Sequence, residues 1–412
     1  MATVVLVGTL DTKGEEYAWL AERVRAGGCA TVLVDTGVLG EPATTPDVTA
    51  VQVAEAAGAD LAELRAAGDR GAAMATMARG AAVITARLHA EGRLHAVAGI
   101  GGSGGSAVAS AAMRELPVGV PKLLVSTMAS GDTSPYVGAV DVTMMYSVVD
   151  VAGINRISEL VLGNAAAAVS SMANAHQLAR QRGGASGRPL VGASMFGVTT
   201  PAVDEARRVL DELGYEVLVF HATGSGGRSM EALAASGLLS GVLDLTTTEL
   251  ADDLVGGVLS AGPHRLEAAG RADVPQVVSV GALDMVNFGP AETVPERFAE
   301  RTLYVHNDTV TLMRTTGEES AELGGRIAAK LAAATGPTAL FLPLRGVSAI
   351  DAEGMPFHDP EADAALFAAL RAGVSGSPVE LIERDEHIND AAFAAAMAHR
   401  LHELIQSRGR NG

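Results

Sequence analysis

Residues 96–107 read AVAGIGGSGGSA, a short apolar run that leads into a segment of glycine, serine and alanine. The apolar run is typical of a buried β-strand, and the small residues after it predict a tight loop and then a helix. Glycines let a backbone approach a ligand closely, and consecutive N–H groups at a helix start bind anions. The stretch therefore predicts the strand, phosphate-binding loop and helix of a Rossmann-like fold, with a tight structural turn as the alternative.

This loop supplies the main candidates for cofactor binding. Contacts to phosphate are predicted from Gly101, Gly102, Ser103, Gly104, Gly105 and Ser106. The glycine spacing also matches the dinucleotide fingerprint, which needs an acidic residue at the end of the next strand. That strand ends in Val125, Ser126 and Thr127, so NAD is disfavoured. The sequence holds no Walker A pattern, and a P-loop arrangement is therefore not predicted.

Strands and helices alternate along the rest of the chain. The candidate strands are continuous apolar runs, which indicate strands buried on both faces of a parallel sheet. They are residues 3–7, 31–34, 96–99, 122–125, 140–144, 190–195, 216–220, 241–244, 276–280 and 339–342. We expect an α/β protein with two Rossmann-like three-layer domains and mostly parallel sheets.

A polar, glycine-rich segment at residues 180–189, RQRGGASGRP, predicts the linker between these domains. It separates an N-terminal domain with Gly-rich phosphate-binding loops, residues 1–182, from a C-terminal domain, residues 188–412. Each half opens with a strand and a Gly/Thr turn and later has a Gly/Ser cluster. A duplication and two unrelated Rossmann-like domains explain this equally well.

The composition excludes several classes of protein. The net charge is -18 with only three lysines, so no basic face is available for nucleic acid. A single cysteine, Cys29, fits a reducing compartment. No apolar run reaches the length of a membrane span, and the first residues lack the basic segment of a signal peptide. We expect a soluble cytoplasmic protein that binds neither nucleic acid nor membrane.

Residues 8–16 read GTLDTKGEE and follow the first strand directly. Ligands of open α/β sheets bind at the carboxyl ends of strands. The cofactor-binding candidates here are Gly8, Thr9, Asp11 and Lys13. Asp11 or Thr12 could equally cap the following helix, with a glutamate completing a capping box.

Two further loops carry candidates with open alternatives. Residues 126–135 read STMASGDTSP, in which Thr127 and Ser130 could help to hold phosphate or hydrated Mg²⁺. An Asx or ST turn explains the same residues. Asp35, at the end of the second strand, could accept a ribose hydroxyl or serve as a turn or cap residue.

The second half has polar residues at several predicted strand ends. A reactive site is one interpretation, and a structural role for each residue is the other. The catalytic candidates are Arg228, Glu249, Asp284, His306 and Arg345. No HExxH, paired-cysteine or EF-hand spacing is present, so no protein metal site is predicted.

Several long strings occur in the order known from one family. They are VGTLDTKGEE, GIGGSGGS, STMASGD, HATGSGGRSMEAL, DLTTTELADDL, GALDMVNFG and LPLRGVSAIDAEGMPFHDPEADAALF. Between Thr3 and Ile388 the chain resembles the uncharacterised family that shares the ATP-binding N-terminal domain of the tomato mosaic virus replication inhibitor.

The resemblance implies two Rossmann-like subdomains, ATP with Mg²⁺ held through the nucleotide, and a homodimer. In the plant protein this domain precedes a TIM barrel, so a separately encoded barrel partner is one expectation. The first functional hypothesis is an ATP-binding protein. An enzyme that acts with ATP on a small carboxylate or phosphorylated metabolite at the interdomain crevice is the second. The third is a noncatalytic ATP-responsive module that binds a partner.

Overall fold

The structure, a computed structural model, describes residues 1–182 and 187–409 of the 412-residue chain. It divides into two compact units, Met1–Ser186 and Gly187–Gly412. Residues 183–186 of the predicted linker and the last three residues lie outside the described part. Every helix within that part is too short or too polar to span a lipid bilayer.

Five parallel strands form the sheet of the first unit, in the order β2-β1-β3-β4-β5. The strands are β1 Thr3–Gly8, β2 Ala30–Asp35, β3 Ala96–Gly101, β4 Lys122–Ser126 and β5 Val142–Tyr146. The helices are α1 Leu10–Ala26, α2 Ala50–Ala56, α3 Leu61–Ala67, α4 Arg70–Ala90, α5 Ser103–Arg114, α6 Ser134–Val137 and α7 Arg156–Gln181.

Helices cover both faces of this sheet. On one face α1 and α7 bury a cluster that includes Leu20 and Val169. On the other face α2, α4 and α5 bury a cluster that includes Met77 and Val108. Since each central strand is buried on both sides, its sequence is continuously apolar, as the parallel-sheet prediction required.

Six parallel strands form the main sheet of the second unit, in the order β14-β13-β9-β8-β6-β7. These are β6 Leu190–Met195, β7 Glu216–His221, β8 Gly241–Thr246, β9 Gln276–Gly281, β13 Thr338–Pro343 and β14 Glu380–Arg384. The helices are α8 Thr200–Glu212, α9 Ser225–Ala235, α10 Glu249–Val255, α11 Ala268–Arg271, α12 Gly317–Ala332, α13 Pro360–Val374 and α14 Ala391–Gly409.

This sheet also lies between helical layers, with α8 and α14 on one face and α9, α12 and α13 on the other. The predicted fold class, two Rossmann-like α/β layers with mostly parallel sheets, is confirmed.

A small antiparallel sheet in the second unit was not predicted. It consists of β10 Met285–Phe288, β11 Leu303–Asn307 and β12 Val310–Arg314, in the order β10-β12-β11. The β11–β12 hairpin had a sequence signal, since Asn307 and Asp308 are turn residues between β-branched runs. Strand β14 reads ELIER and lies at the sheet edge, where charged side chains are tolerated and the apolar signal is lost.

The sheet of the first unit opens between β1 and β3. Their pairing ends at Leu6 and Ala98, and the Tyr17 hydroxyl enters the gap beyond. This hydroxyl donates to the Val7 carbonyl at 2.6 Å and accepts the Ile100 N–H at 2.8 Å. A Cβ at Gly8 would lie 2.1 Å from the Tyr17 ring, so only glycine fits there. The fully buried Tyr17 hydroxyl thus provides a hydrogen-bond partner for one backbone group of each strand at the point where the strands separate.

We predict that Tyr17→Phe lowers the free energy of unfolding by about 1–3 kcal/mol, because a buried donor and acceptor lose their partner. Urea unfolding followed by circular dichroism measures the change. The control is Tyr136→Phe, since the half-buried Tyr136 has no side-chain hydrogen bond among the described residues. Equal stability of the two variants would show that the Tyr17 hydroxyl does not hold the strands.

Candidate functional site

A cavity of about 510 Å³ lies where the strand order of the first unit reverses. Strand β1 has β2 on one side and β3 on the other, so the loops after β1 and β3 diverge to opposite faces of the sheet. In open α/β sheets, ligands bind in the crevice at this reversal, at the carboxyl ends of the strands. The cavity is lined by Thr9, Asp11, Thr12, Lys13, Thr36, Val38, Leu39, Leu64, Arg65, Gly68, Asp69, Arg70, Ala73, Met74, residues 100–105, Val108 and Asp150.

The lining includes most of the predicted cofactor-binding residues. Those brought together are Thr9, Asp11, Lys13, Gly101, Gly102, Ser103, Gly104 and Gly105. Five others lie outside the lining: Gly8, Asp35, Ser106, Thr127 and Ser130.

The residues outside the lining have different surroundings. Gly8 makes room for Tyr17, and Ser106 is buried with its hydroxyl 2.6 Å from that of Ser126. Thr127 approaches the loop, because its Oγ1 lies 3.7 Å from the Cβ position of Gly102. Ser130 ends the short 3-10 helix that follows β4.

Asp35 makes the backbone contacts of a turn residue. Its Oδ1 accepts the N–H groups of Leu10 at 3.0 Å and Gly37 at 2.8 Å, and the residue is buried. Burial raises the pKa of this carboxyl, while the two backbone hydrogen bonds lower it in part.

The glycine loop leads into α5 without a side-chain cap. Gly102 is the N-cap residue and has no side chain to accept a backbone hydrogen bond. The first N–H groups of a helix lack intrahelical acceptors, and they carry the positive end of the helix dipole. Because residues 101–105 line the cavity, this end of the cavity has the chemistry of an anion site.

The loop after β1 is held to the segment after β2. Asp11 does not cap α1; its Oδ2 accepts the N–H groups of Leu39 at 2.7 Å and Gly40 at 3.2 Å. Arg65 holds the same segment from α3, donating to the Val38 carbonyl at 2.9 Å and the Gly40 carbonyl at 3.0 Å. This wall of the cavity is therefore fixed from two sides.

The loop after β1 makes two further polar contacts. The hydroxyls of Thr9 and Thr12 lie 2.9 Å apart, and the Lys13 ammonium donates to the Val151 carbonyl. Lys13 has a non-helical backbone, φ -131° and ψ 19°, inside α1. The apolar part of the lining comes from Val38, Leu39, Leu64, Ala73, Met74 and Val108.

Sequence reasoning missed the contribution of α3 and α4. Arg65, Arg70 and Met74 belong to helices, and no local motif distinguishes them from other surface residues. Only the tertiary fold places these helices over the glycine loop.

The glycine-rich loop of the second unit has a different role. Its backbone surrounds the carboxylate of Glu249, which accepts the N–H groups of Gly224 at 2.7 Å and Gly227 at 3.1 Å. A Cβ at Gly227 would lie 2.1 Å from the Glu249 Oε2. The anion held by this loop is thus a side chain of the protein itself.

Arg265 links that carboxylate to the sheet. Its guanidinium is fully buried and contacts Glu249 Oε2 at 2.7 Å and the two oxygens of Asp244 at 2.5 and 2.6 Å. Asp244 in turn accepts the Ser194 hydroxyl at 2.7 Å, and Ser194 accepts the Thr246 N–H at 2.9 Å. These residues lie where β6 and β8 separate, and they fill the reversal point of the second sheet.

The catalytic candidates of the second unit have separate surroundings. Arg228 is exposed and donates to the Ser260 carbonyl at 3.0 Å. Arg345 forms an exposed ion pair with Asp385 at 2.7 Å, and His306 is exposed on β11. Glu249 belongs to the buried Arg265 network described above.

The remaining candidate, Asp284, belongs to a buried acidic cluster around Arg314. Asp284 accepts the Ser348 hydroxyl at 2.7 Å. Arg314 lies 2.7 Å from Asp363 and 3.5 Å from Asp351. Arg314 therefore pairs with two buried carboxyls, and the charge of a third, Asp284, interacts with it electrostatically.

The charge imbalance shifts these carboxyls toward the neutral form. Burial, followed by the charges of Asp284 and Asp363, raises the pKa of Asp351 to about 9. Burial likewise raises the pKa of Asp284 to about 6, against the lowering effect of Arg314. Within the described part of the chain, no cluster of three or more His, Cys, Asp or Glu side chains is arranged to bind a metal.

We predict that Arg265→Met lowers the free energy of unfolding by about 3–5 kcal/mol, because Asp244 and Glu249 would remain buried without a counter-ion. The matched control is Arg271→Met, whose side chain is 70% exposed in its ion pair with Glu267. That exposed pair is expected to contribute about 0–1 kcal/mol. Urea unfolding of both variants tests the difference, and similar small losses would contradict the role of Arg265.

We predict that Asp351→Asn reduces the pH dependence of stability. The pKa of Asp351 rises from 3.8 to about 9 on folding, so between these values the folded chain holds a proton that the unfolded chain has released. The free energy of unfolding therefore decreases as the pH rises through this window. Asparagine does not titrate and should remove this part of the decrease.

Urea unfolding at a series of pH values between about 5 and about 9 measures this slope. The control is Asp204→Asn, an exposed carboxyl that has no ion pair among the described residues. An unchanged slope in Asp351→Asn would mean that Asp351 is already ionised in the folded protein.

Comparisons with known proteins cover both units. The N-terminal domain of the uncharacterised protein family UPF0261 matches residues 2–178, and the C-terminal domain of that family matches residues 188–405. A UPF0261 protein of Clostridium tetani is 52% identical over 405 residues, which cover 98% of this chain and 99% of that protein. One of Rhizobium meliloti is 50% identical over 397 residues, covering 96% and 97%.

The chain is also similar to a plant protein. The ToMV resistance protein Tm-1(GCR237) of Solanum lycopersicum is 40% identical over 427 residues, covering 97% of this chain and 55% of the tomato protein. Among solved structures, an alignment with the S. aureus MnaA-UDP co-structure covers 92% of this chain and 100% of the chain in that structure. It has 11% identity and a TM-score of 0.21, a likeness that carries no argument about function.

Proposed function

This chain belongs to the uncharacterised protein family UPF0261, and we propose that its first unit binds ATP in the cavity between the glycine loop and the β1 loop. The observation that carries the proposal is the uncapped N-terminus of α5, which opens into a cavity at the reversal point of the sheet. Anionic phosphates suit such a helix start.

The shape and chemistry of the cavity also support a nucleotide. Its volume of about 510 Å³ falls within the range of small-molecule sites, about 300–1,000 Å³. Its lining includes backbone N–H groups at the start of α5 and the hydroxyls of Thr9 and Thr12, which suit phosphate. It also includes aliphatic side chains such as Leu64 and Met74, which suit the flat apolar faces of a base.

The second unit does not offer an equivalent site at its own reversal point. There the glycine loop already holds the Glu249 carboxylate, and the fully buried Arg265 neutralises it. A nucleotide phosphate would have to displace a charge that the protein itself supplies. We therefore assign ATP to the first unit, and a reaction at the catalytic candidates of the second unit is not favoured.

Mg²⁺ would arrive with the nucleotide. Magnesium commonly keeps several waters and binds through one or two carboxylates together with substrate phosphates. The described residues contain no preformed acidic cluster of the kind a dedicated metal site needs. When bound, the ion would neutralise part of the phosphate charge of the nucleotide. The homodimer, the TIM-barrel partner and the cytoplasmic location stay predictions.

We predict that ATP with Mg²⁺ raises the melting temperature of the protein, whereas NADH does not. A ligand at a hundredfold excess over its Kd stabilises the native state by about 2.7 kcal/mol. Gly102→Val should abolish the shift without unfolding the protein. Gly102 has an extended backbone, and its Cβ would meet only Thr127 Oγ1 at 3.7 Å.

The matched control is Gly197→Val, in the loop that follows β6 of the second unit, where a Cβ has nothing within 4 Å. This variant should keep the full shift with ATP. A shift with NADH but not with ATP would contradict the choice of ligand. An equal ATP shift in Gly102→Val would contradict the position of the site.

A further inference from the structure

Three cationic side chains line the cavity of the first unit, and two of them have structural partners. Lys13 donates to the Val151 carbonyl, and Arg65 donates to the carbonyls of Val38 and Gly40. Arg70 is exposed and has neither a hydrogen bond from its guanidinium nor an ion pair within the described residues. Arg70 is thus the cation that this cavity leaves available to a ligand.

The position of Arg70 directs it toward the glycine loop. Its Nη2 lies 3.9 Å from the Cβ position of Gly104, in the first turn of α5. Met74, one turn further along α4, packs on the same glycine, with its Cε 3.0 Å from that Cβ position. Residues four apart share one face of a helix, so the methionine supports the side on which the guanidinium extends.

Local stability does not explain an arginine at this position. Arg70 is the first residue of α4, and the cap is supplied by Asp69, whose carboxylate accepts the Ala72 N–H at 3.0 Å. A cation at a helix N-terminus opposes the helix dipole and is unfavourable. An anionic ligand between this guanidinium and the start of α5 would reverse that penalty.

We infer that Arg70 recognises the terminal phosphates of the ligand, so that the site selects nucleoside triphosphates and diphosphates over monophosphates. This inference rests on the proposed nucleotide site. The guanidinium presents a planar fork of N–H donors that matches phosphate oxygens in pairs. Two carboxylates also line the cavity, Asp11 and Asp69, and neither forms an ion pair with Arg70 within the described residues. Asp11 Oδ2 accepts the Leu39 N–H, and Asp69 Oδ1 accepts the Ala72 N–H.

Isothermal titration calorimetry on the full chain tests the inference with ATP, AMP and inorganic tripolyphosphate. Arg70→Gln should weaken ATP and tripolyphosphate by about 10- to 100-fold, the range of a hydrogen bond to a charged group. Binding of AMP should change by less than about twofold, and Arg70→Lys should retain part of the affinity for ATP. The matched control is Arg79→Gln, an exposed arginine of the same helix that bonds Thr76 and does not line the cavity.

The outcomes separate this inference from the proposed function. If the wild-type protein binds ATP and Arg70→Gln binds it equally well, Arg70 has no role in phosphate recognition and the ATP site stands. If the variant loses tripolyphosphate while the wild type binds no ATP, the phosphate contact stands and the nucleotide assignment fails. Binding of neither ligand by the wild type overturns both.

Discussion

The cavity of the first unit depends on one separation within its sheet. Strands β1 and β3 pair only as far as Leu6 and Ala98, and beyond them the Tyr17 hydroxyl satisfies the Val7 carbonyl and the Ile100 N–H. Without this bridge, two buried backbone groups at the mouth of the cavity would lack partners. The strand order also reverses here, so the loops after β1 and β3 diverge to opposite faces of the sheet and leave room for a ligand.

The second unit has a similar separation between two strands, but side chains of the protein fill it. Strands β6 and β8 pair over three residues up to Ala193 and Leu243, and the Ser194 hydroxyl accepts the Thr246 N–H beyond them. Here the opening is filled by Arg265, which is buried together with Asp244 and Glu249. The two glycine loops therefore look alike in sequence and differ in what they hold. One faces a cavity, and the other surrounds a carboxylate of its own chain.

The sequence predicts the parts of this architecture that depend on local chemistry. Continuous apolar runs identified the central strands because those strands are buried on both faces. The glycines after β3 predicted a phosphate-binding junction between a strand and a helix; the structure has the strand-to-helix junction there, and its residues line the cavity. The roles of Arg70 and Glu249 were not predicted, since both depend on which helix lies over which loop. Nothing in the string HATGSGGR indicates that its ligand is a glutamate from the next crossover.

The two units also differ in how they accommodate residues that depart from local preferences of burial, helix geometry, helix capping or helix charge. In the second unit, burying Arg265, Asp244 or Glu249 alone would leave an unpaired charge in the interior. Because the three are paired with one another, their burial is compatible with a stable fold, and no ligand is needed to explain it. In the first unit, three residues that depart from local preferences are not part of any comparable buried ion network within the described part of the chain. Lys13 interrupts the helical geometry of α1, Gly102 leaves α5 uncapped, and Arg70 opposes the dipole of α4. All three line one cavity. Residues that depart from local structural preferences without a gain in stability are expected at functional sites. The presence of three such residues in one cavity favours this cavity as the functional site.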